Sequence, residues 1–162
     1  MKLFHGSTII IEHPLAHVGR EHLDFGKGFY LTRIEEQAFD WARKVKLIKK
    51  APTAIINIFD FDYQSTINAG YNYLCMGEYN KEWLDFIIRS RKGEKPWCGY
   101  GFVEGGVAND RVIDTVEDYM IGRITAEQAL GQLKYAKPNH QICILNQEII
   151  DQYLTFVDYK EL

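Results

Sequence analysis

Short apolar runs separated by glycine-rich and turn-rich stretches set the pattern of this chain. Leu3 to His5 reads as a short strand running into Gly6-Ser7. Residues 8 to 28 carry His13-Pro14 and the glycines Gly19, Gly26 and Gly28, which interrupt any sustained element. Phe29 to Leu31 forms a second short strand. Thr32 with Glu35 spells a capping box, and Ile34, Ala38, Trp41, Ala42 and Val45 recur at helical spacing, predicting a helix to about Lys49. Thr53 to Phe59 is apolar and β-branched, the signature of a buried strand. Asp60 to Glu78 has turn residues and tyrosines but no clear period. Asn80 caps a helix through Trp83, Phe86, Ile87 and Arg91, ended by Gly93 and Pro96, with the three apolar residues as its buried stripe.

Further on, Phe102-Val103 and Val107 read as strands around Gly105-Gly106, and Thr115 to Met120 as helix. Thr125 with Gln128 makes a capping box for a helix through Ala129, Leu130 and Leu133. Gln141 to Leu145 is a strand, Asn146 caps a short helix, and Leu154 to Val157 is a final strand. The pattern is neither regular βαβ nor all-helical, and it predicts a mixed α+β domain of several short strands. No repeat, low-complexity tract or Pro/Ser-rich linker divides residues 1–162, which read as one domain.

Composition narrows the picture only in places. With 162 residues, 46% hydrophobic and 25% charged, the chain suits a single core. Ten Tyr, nine Phe and three Trp provide stacking surfaces for flat rings. A net charge of −3 supplies no global basic field for nucleic acid. The dense cations Lys44, Lys46, Lys49 and Lys50 suit a helix C-terminus. Cys75, Cys98 and Cys143 have no paired spacing, which points to a reducing compartment without structural zinc. His13, His17 and His22 lack a carboxylate or Cys to complete a ligand set, so no metal is expected. The apolar start is too short for a signal peptide and no run reaches membrane-spanning length, so the expected location is cytoplasmic.

The chemistry concentrates at three places. His5-Gly6-Ser7 offers an imidazole, a backbone unobstructed by a side chain, and a hydroxyl. Tyr30, two residues after Gly28, offers an aromatic face. Gln141 offers a polar anchor on a late strand. Cleavage of the nicotinamide–ribose bond of NAD needs such groups: a donor and acceptor for the carboxamide, a face for the ring, and anchors for the ribose hydroxyls. It also gains from an electron-rich group beside the oxocarbenium-like transition state.

The segments Phe4-His5-Gly6-Ser7, Leu23 to Thr32, Trp83-Leu84-Asp85-Phe86, Val107-Ala108-Asn109-Asp110 and Asn139-His140-Gln141-Ile142 follow one another in an order that resembles the ADP-ribosyltransferase superfamily. The likeness is to the His–Tyr–Glu branch shared by diphtheria-like toxins and poly(ADP-ribose) polymerases, and more closely to a bacterial family placed there. The resemblance implies a split, two-sheet fold of short, mostly antiparallel strands with surrounding helices, and NAD in the cleft. It implies His5 on the adenosine ribose, the Gly6 backbone on the carboxamide and Tyr30 on the nicotinamide face. Ser7 and Gly28 flank these positions, and Arg20 would reach pyrophosphate from the loop before them.

At the late strand, Gln141 stands where many such transferases carry Glu. It can hydrogen-bond the nicotinamide ribose, but it cannot carry the charge or take a proton. Strand alternation places Asn139 on the same face, as the candidate acceptor contact. Asp110 and Glu104 are the nearest carboxylates by motif, and Asn109-Asp110 also fits an Asx turn. The expected activity is transfer of ADP-ribose to a macromolecular acceptor, protein or nucleic acid, as by a toxin of a toxin–antitoxin or phage-defence pair with its antitoxin. A catalytically silent module binding NAD, ADP-ribose or a protein, and an NAD glycohydrolase, are the alternatives.

Overall fold

The computed structural model describes residues 1–108, 110–136 and 139–162, without the side chains of residues 110 and 111. Among the described residues, two sheets and six α-helices make a mixed α+β fold. The first sheet has the order β1-β3-β7, with β1 Lys2–Ser7, β3 Ile55–Phe61 and β7 Leu154–Glu161, all antiparallel. The second has the order β2-β6-β5-β4, with β2 Phe29–Leu31, β4 Tyr73–Met76, β5 Phe102–Gly105 and β6 Gln141–Ile144. Strands β4 and β5 pair in parallel, and the other pairs among the described residues are antiparallel.

The helices are α1 Glu35–Lys49, α2 Tyr63–Asn68, α3 Lys81–Arg91, α4 Asp110–Met120, α5 Ala126–Leu133 and α6 Gln147–Tyr153. Asn80 caps α3 by accepting from the Trp83 N–H, and Thr125 and Gln128 close a reciprocal capping box on α5. Among the described residues, no helix is long and apolar enough to cross a membrane.

Alternation along the second sheet sorts its side chains into two layers. Tyr30, Val103 and Cys143 face α3, α4 and α5, and Trp83, Leu84 and Ile87 fill that core. Phe29, Leu31, Phe102, Ile142 and Ile144 face the first sheet and pack on Leu3, Phe59 and Phe61. The predicted buried stripe of α3 is therefore correct.

The start of α1 differs from the sequence expectation. Thr32 does not cap the helix; its hydroxyl accepts from the Ile34 N–H, while its backbone pairs with Phe4. Of the residues that set the helical period, Ala38 and Ala42 are buried but Trp41 is 42% exposed. The cause lies in β1. A Cβ on Gly6 would stand 2.2 Å from the Ala38 carbonyl oxygen and 2.8 Å from the Ala42 nitrogen. The helix crosses so close to this glycine that only alanines fit beneath it. Helix α2 and strand β4 fall in the 60–78 stretch that had no readable period, and Val107 lies outside β5.

Candidate active site at the split between the sheets

Strands β1 and β2 touch through one bridge, Phe4 to Thr32. The Phe4 N–H donates to Thr32 at 2.8 Å, and the Thr32 N–H returns to Phe4 at 2.9 Å. Alternation in an antiparallel ladder turns the backbone groups of Gly6 and Tyr30 toward the same gap. Among the described residues no backbone bond crosses it beyond the bridge. What would be one continuous sheet is interrupted here, and no backbone bond among the described residues joins Gly6 to β2.

A side chain holds the tear at a fixed width. His5 Nδ1 lies 2.7 Å from the Tyr30 carbonyl oxygen, and its ring stacks on Phe29 with centroids 4.5 Å apart. A carbonyl only accepts, so Nδ1 carries the proton and Nε2 keeps its lone pair. Burial lowers the His5 pKa, partly opposed by the bond to Tyr30, and the ring is neutral at pH 7. Opposite His5 on β3 is Asn57, wholly buried. It accepts from the Ile11 N–H at 2.7 Å and donates to the Ile9 carbonyl at 3.1 Å, pinning the loop that follows Ser7.

Tyr30 lies opposite Cys143 and Leu31 opposite Ile142, so Gln141 is the diagonal neighbour of Tyr30 on the same face. Such pairs are about 7–8 Å apart. The Tyr30 hydroxyl donates to the Gly26 carbonyl at 2.5 Å and accepts from the Phe25 N–H at 3.2 Å. Burial, with Cys143 and Asp24 nearby, pushes its pKa well above the ordinary value, so it stays a phenol. Gln141 is half-buried, and its side-chain amide makes no hydrogen bond among the described residues. His5 thus meets Tyr30 through its backbone carbonyl and Gln141 lies diagonal to Tyr30 across β2 and β6, with His5 entering from the layer opposite to the other two.

The remaining expected residues divide. Gly28 is a packing residue: its Cβ would stand 2.5 Å from the Ile144 carbonyl oxygen, so this loop lies directly on β6. Arg20 is exposed, in the loop before it. Asn139 precedes β6, and its amide is committed elsewhere. It accepts from the Val107 N–H at 2.7 Å and the Tyr79 hydroxyl at 2.8 Å, and donates to the Val107 carbonyl at 3.2 Å. Asn109 and the side chain of Asp110 lie outside the described residues.

Two polar clusters complete the surroundings; Glu104, a candidate carboxylate by motif, is in one of them and does not join Gln141. Asp24, buried in the motif before Tyr30, meets Arg91 at 2.6 Å and accepts from the Ala108 N–H at 3.0 Å. It clamps the Phe25-Gly26 turn onto the end of α3. Glu104, equally buried, is met by Arg33 Nη2 at 2.7 Å, His140 Nε2 at 2.8 Å and the Tyr63 hydroxyl at 3.0 Å. It faces away from Gln141. The sequence signal for both is a charged residue inside an otherwise apolar or glycine-rich stretch.

Residues 1–156 match the family described as Protein of unknown function (DUF3990), and the chain belongs to it. No curated protein and no solved structure matches the chain.

Proposed function

We propose that the chain is an ADP-ribosyltransferase of the His–Tyr–Glu/Gln type, which uses NAD as substrate and transfers ADP-ribose to a macromolecular acceptor. The observation that carries the reading is the break between β1 and β2: beyond the Phe4–Thr32 bridge the strands part, His5 bonds the Tyr30 carbonyl, and Gln141 lies diagonal to Tyr30 with its amide free among the described residues. The Gly6 N–H and C=O match the acceptor and donor of a carboxamide. Tyr30 supplies the aromatic ring on which the nicotinamide would stack. Neutral His5 presents an Nε2 lone pair able to accept from a ribose hydroxyl. The Gln141 amide can hydrogen-bond a second ribose hydroxyl and orient the sugar. Departure of nicotinamide takes the bonding electron pair, and the acceptor nucleophile then bonds to the ribose carbon and loses its proton. Polar groups aimed at that carbon lower the barrier.

Gln141 favours a second reading, because an amide carries no negative charge and takes no proton. That reading is a silent NAD- or ADP-ribose-binding module. With water as acceptor the same site would be an NAD glycohydrolase. Incubation of the pure protein with labelled NAD separates the three. Nicotinamide release with label on protein or nucleic acid is the expected result. Release of free ADP-ribose would mean hydrolysis, and saturable binding without turnover, unchanged by Gln141→Glu, would mean the silent module. No NAD binding at all would end the proposal.

A further inference from the structure

We propose that Glu104, acting through His140, is a positioning residue that aims Gln141 into the tear; the inference rests on the transferase reading. His140 immediately precedes Gln141, and each of its polar groups is held. Its N–H donates to Gln37 Oε1 at 3.2 Å and its carbonyl accepts from Gln37 Nε2 at 2.9 Å. Its Nδ1 accepts from the Arg33 N–H at 3.2 Å, so Nε2 carries the proton and donates to Glu104 Oε1 at 2.8 Å. Both ring nitrogens are occupied by hydrogen bonds within the brace.

The brace reaches into four parts of the fold. Arg33 follows β2, Gln37 belongs to α1, Tyr63 to α2 and Glu104 to β5. Glu104 pairs across the ladder with Ile142, and Gly105 with Gln141. Glu104 and His140 therefore lie on the layer facing the first sheet, while Gln141 points the other way. The backbone on both sides of Gln141 is fixed, and its amide is left free. Burial alone would raise the Glu104 pKa, but the His140 bond, the Arg33 charge and the Tyr63 hydroxyl hold it below the ordinary value. A buried ion cluster is weak evidence for stability, since an apolar replacement often serves as well. Geometric precision at the next residue is the role that remains for it. A Gln in place of Glu must work through orientation alone, which makes its aim more critical.

The test compares Glu104→Gln with wild type in nicotinamide release. The expected result is a fall in kcat of about 10-fold or more with KM for NAD little changed, because misplacing one group by about an ångström has that order of effect. In a Gln141→Ala background the same change should remove nothing further. An unchanged kcat, or a full additive loss in that background, would overturn the brace. If Glu104→Gln does not fold, Gln37→Ala is read by the same criteria. If wild type releases no nicotinamide, the transferase reading falls, yet the brace is still decided by the Gln141 side-chain amide resonances. Shifted or broadened signals in Glu104→Gln support it, and unchanged signals overturn it.

Discussion

His5 donates from Nδ1 to the carbonyl of Tyr30 at 2.7 Å, so one side chain stands where a rung between β1 and β2 would otherwise form. The bond fixes the imidazole tautomer and the width of the gap together. Stacking on Phe29 holds the ring plane, and Phe29 in turn packs edge-on against Phe59 in the core between the sheets. The imidazole is thereby tied to the packing of both sheets.

That tie has a pH signature. The folded His5 pKa lies below the ordinary 6.5, so just below that pH the unfolded chain binds the extra proton and the folded one does not. Stability should rise with pH through this window, and fall as the pH drops from 6.5 toward the folded value. Chemical denaturation at a series of pH values checks it. In His5→Gln the slope in this window should be smaller than in wild type; an equal slope would remove His5 as its source.

Gly6→Ala should fail to reach the native packing. Its Cβ would lie 2.2 Å from a backbone oxygen of α1, a contact that no rotamer change relieves. Displacing the helix to make room would loosen Ala38 and Ala42, both buried, and a cost of about 3 kcal/mol fits overpacking at a rigid site. Thermal unfolding monitored by circular dichroism reads the loss. Wild-type stability in this variant would mean that α1 does not sit this close.

Glu104 adds a second acid-labile contribution at lower pH. Glu104 is held below the ordinary 4.5, despite burial, by its His140 bond, Arg33 and Tyr63. Its contribution is present above pH 4.5 and is lost as the pH falls through the folded pKa. Glu104→Gln should therefore flatten the stability profile below pH 4.5. An unchanged profile below 4.5 would remove Glu104 as its source.

Local rules made the longer elements legible. Asn80 and the Thr125–Gln128 box mark true helix starts because side-chain caps act within one turn. Thr32–Glu35 spells the same box but fails, since the bridge to Phe4 competes for Thr32. The α2–β4 region, with burial spread irregularly over its tyrosines, had no period to read. At the site, His5, Tyr30 and Gln141 stood out by residue type and order. Gly28 and Asn139 did not behave as expected, because close approach to β6 and the bonds to Tyr79 and Val107 are long-range facts. The partners of Glu104 and Asp24 come from residues 33 to 140 and from Arg91 and Ala108, separations that no local pattern encodes.

Asp24→Asn tests the clamp beneath the site. Asp24 is 6% exposed and Arg91 only partly so, and removing one charge leaves the other poorly solvated. Breaking such a pair costs on the order of 3–5 kcal/mol. The amide can still accept from the Ala108 N–H, so the loss should sit toward the lower end. Urea unfolding measures it, and a change under about 0.5 kcal/mol would place this ion pair with ordinary surface pairs.

Tyr30 offers a way to part the aromatic face from the hydroxyl. Tyr30→Phe keeps the ring but leaves the Gly26 carbonyl and the Phe25 N–H without their partner. The expected cost is about 1–2 kcal/mol of stability, as for other half-buried groups deprived of a hydrogen bond. Tyr30→Ala also removes the packing against Cys143 and the α3 layer, for about 3 kcal/mol. The two should diverge on ligand. If the ring face carries the nicotinamide, NAD affinity by calorimetry stays within a few-fold of wild type in the Phe variant and is lost in the Ala variant. Equal loss in both would mean that the Phe25-Gly26 turn, shaped by the hydroxyl, makes the contact and the ring does not.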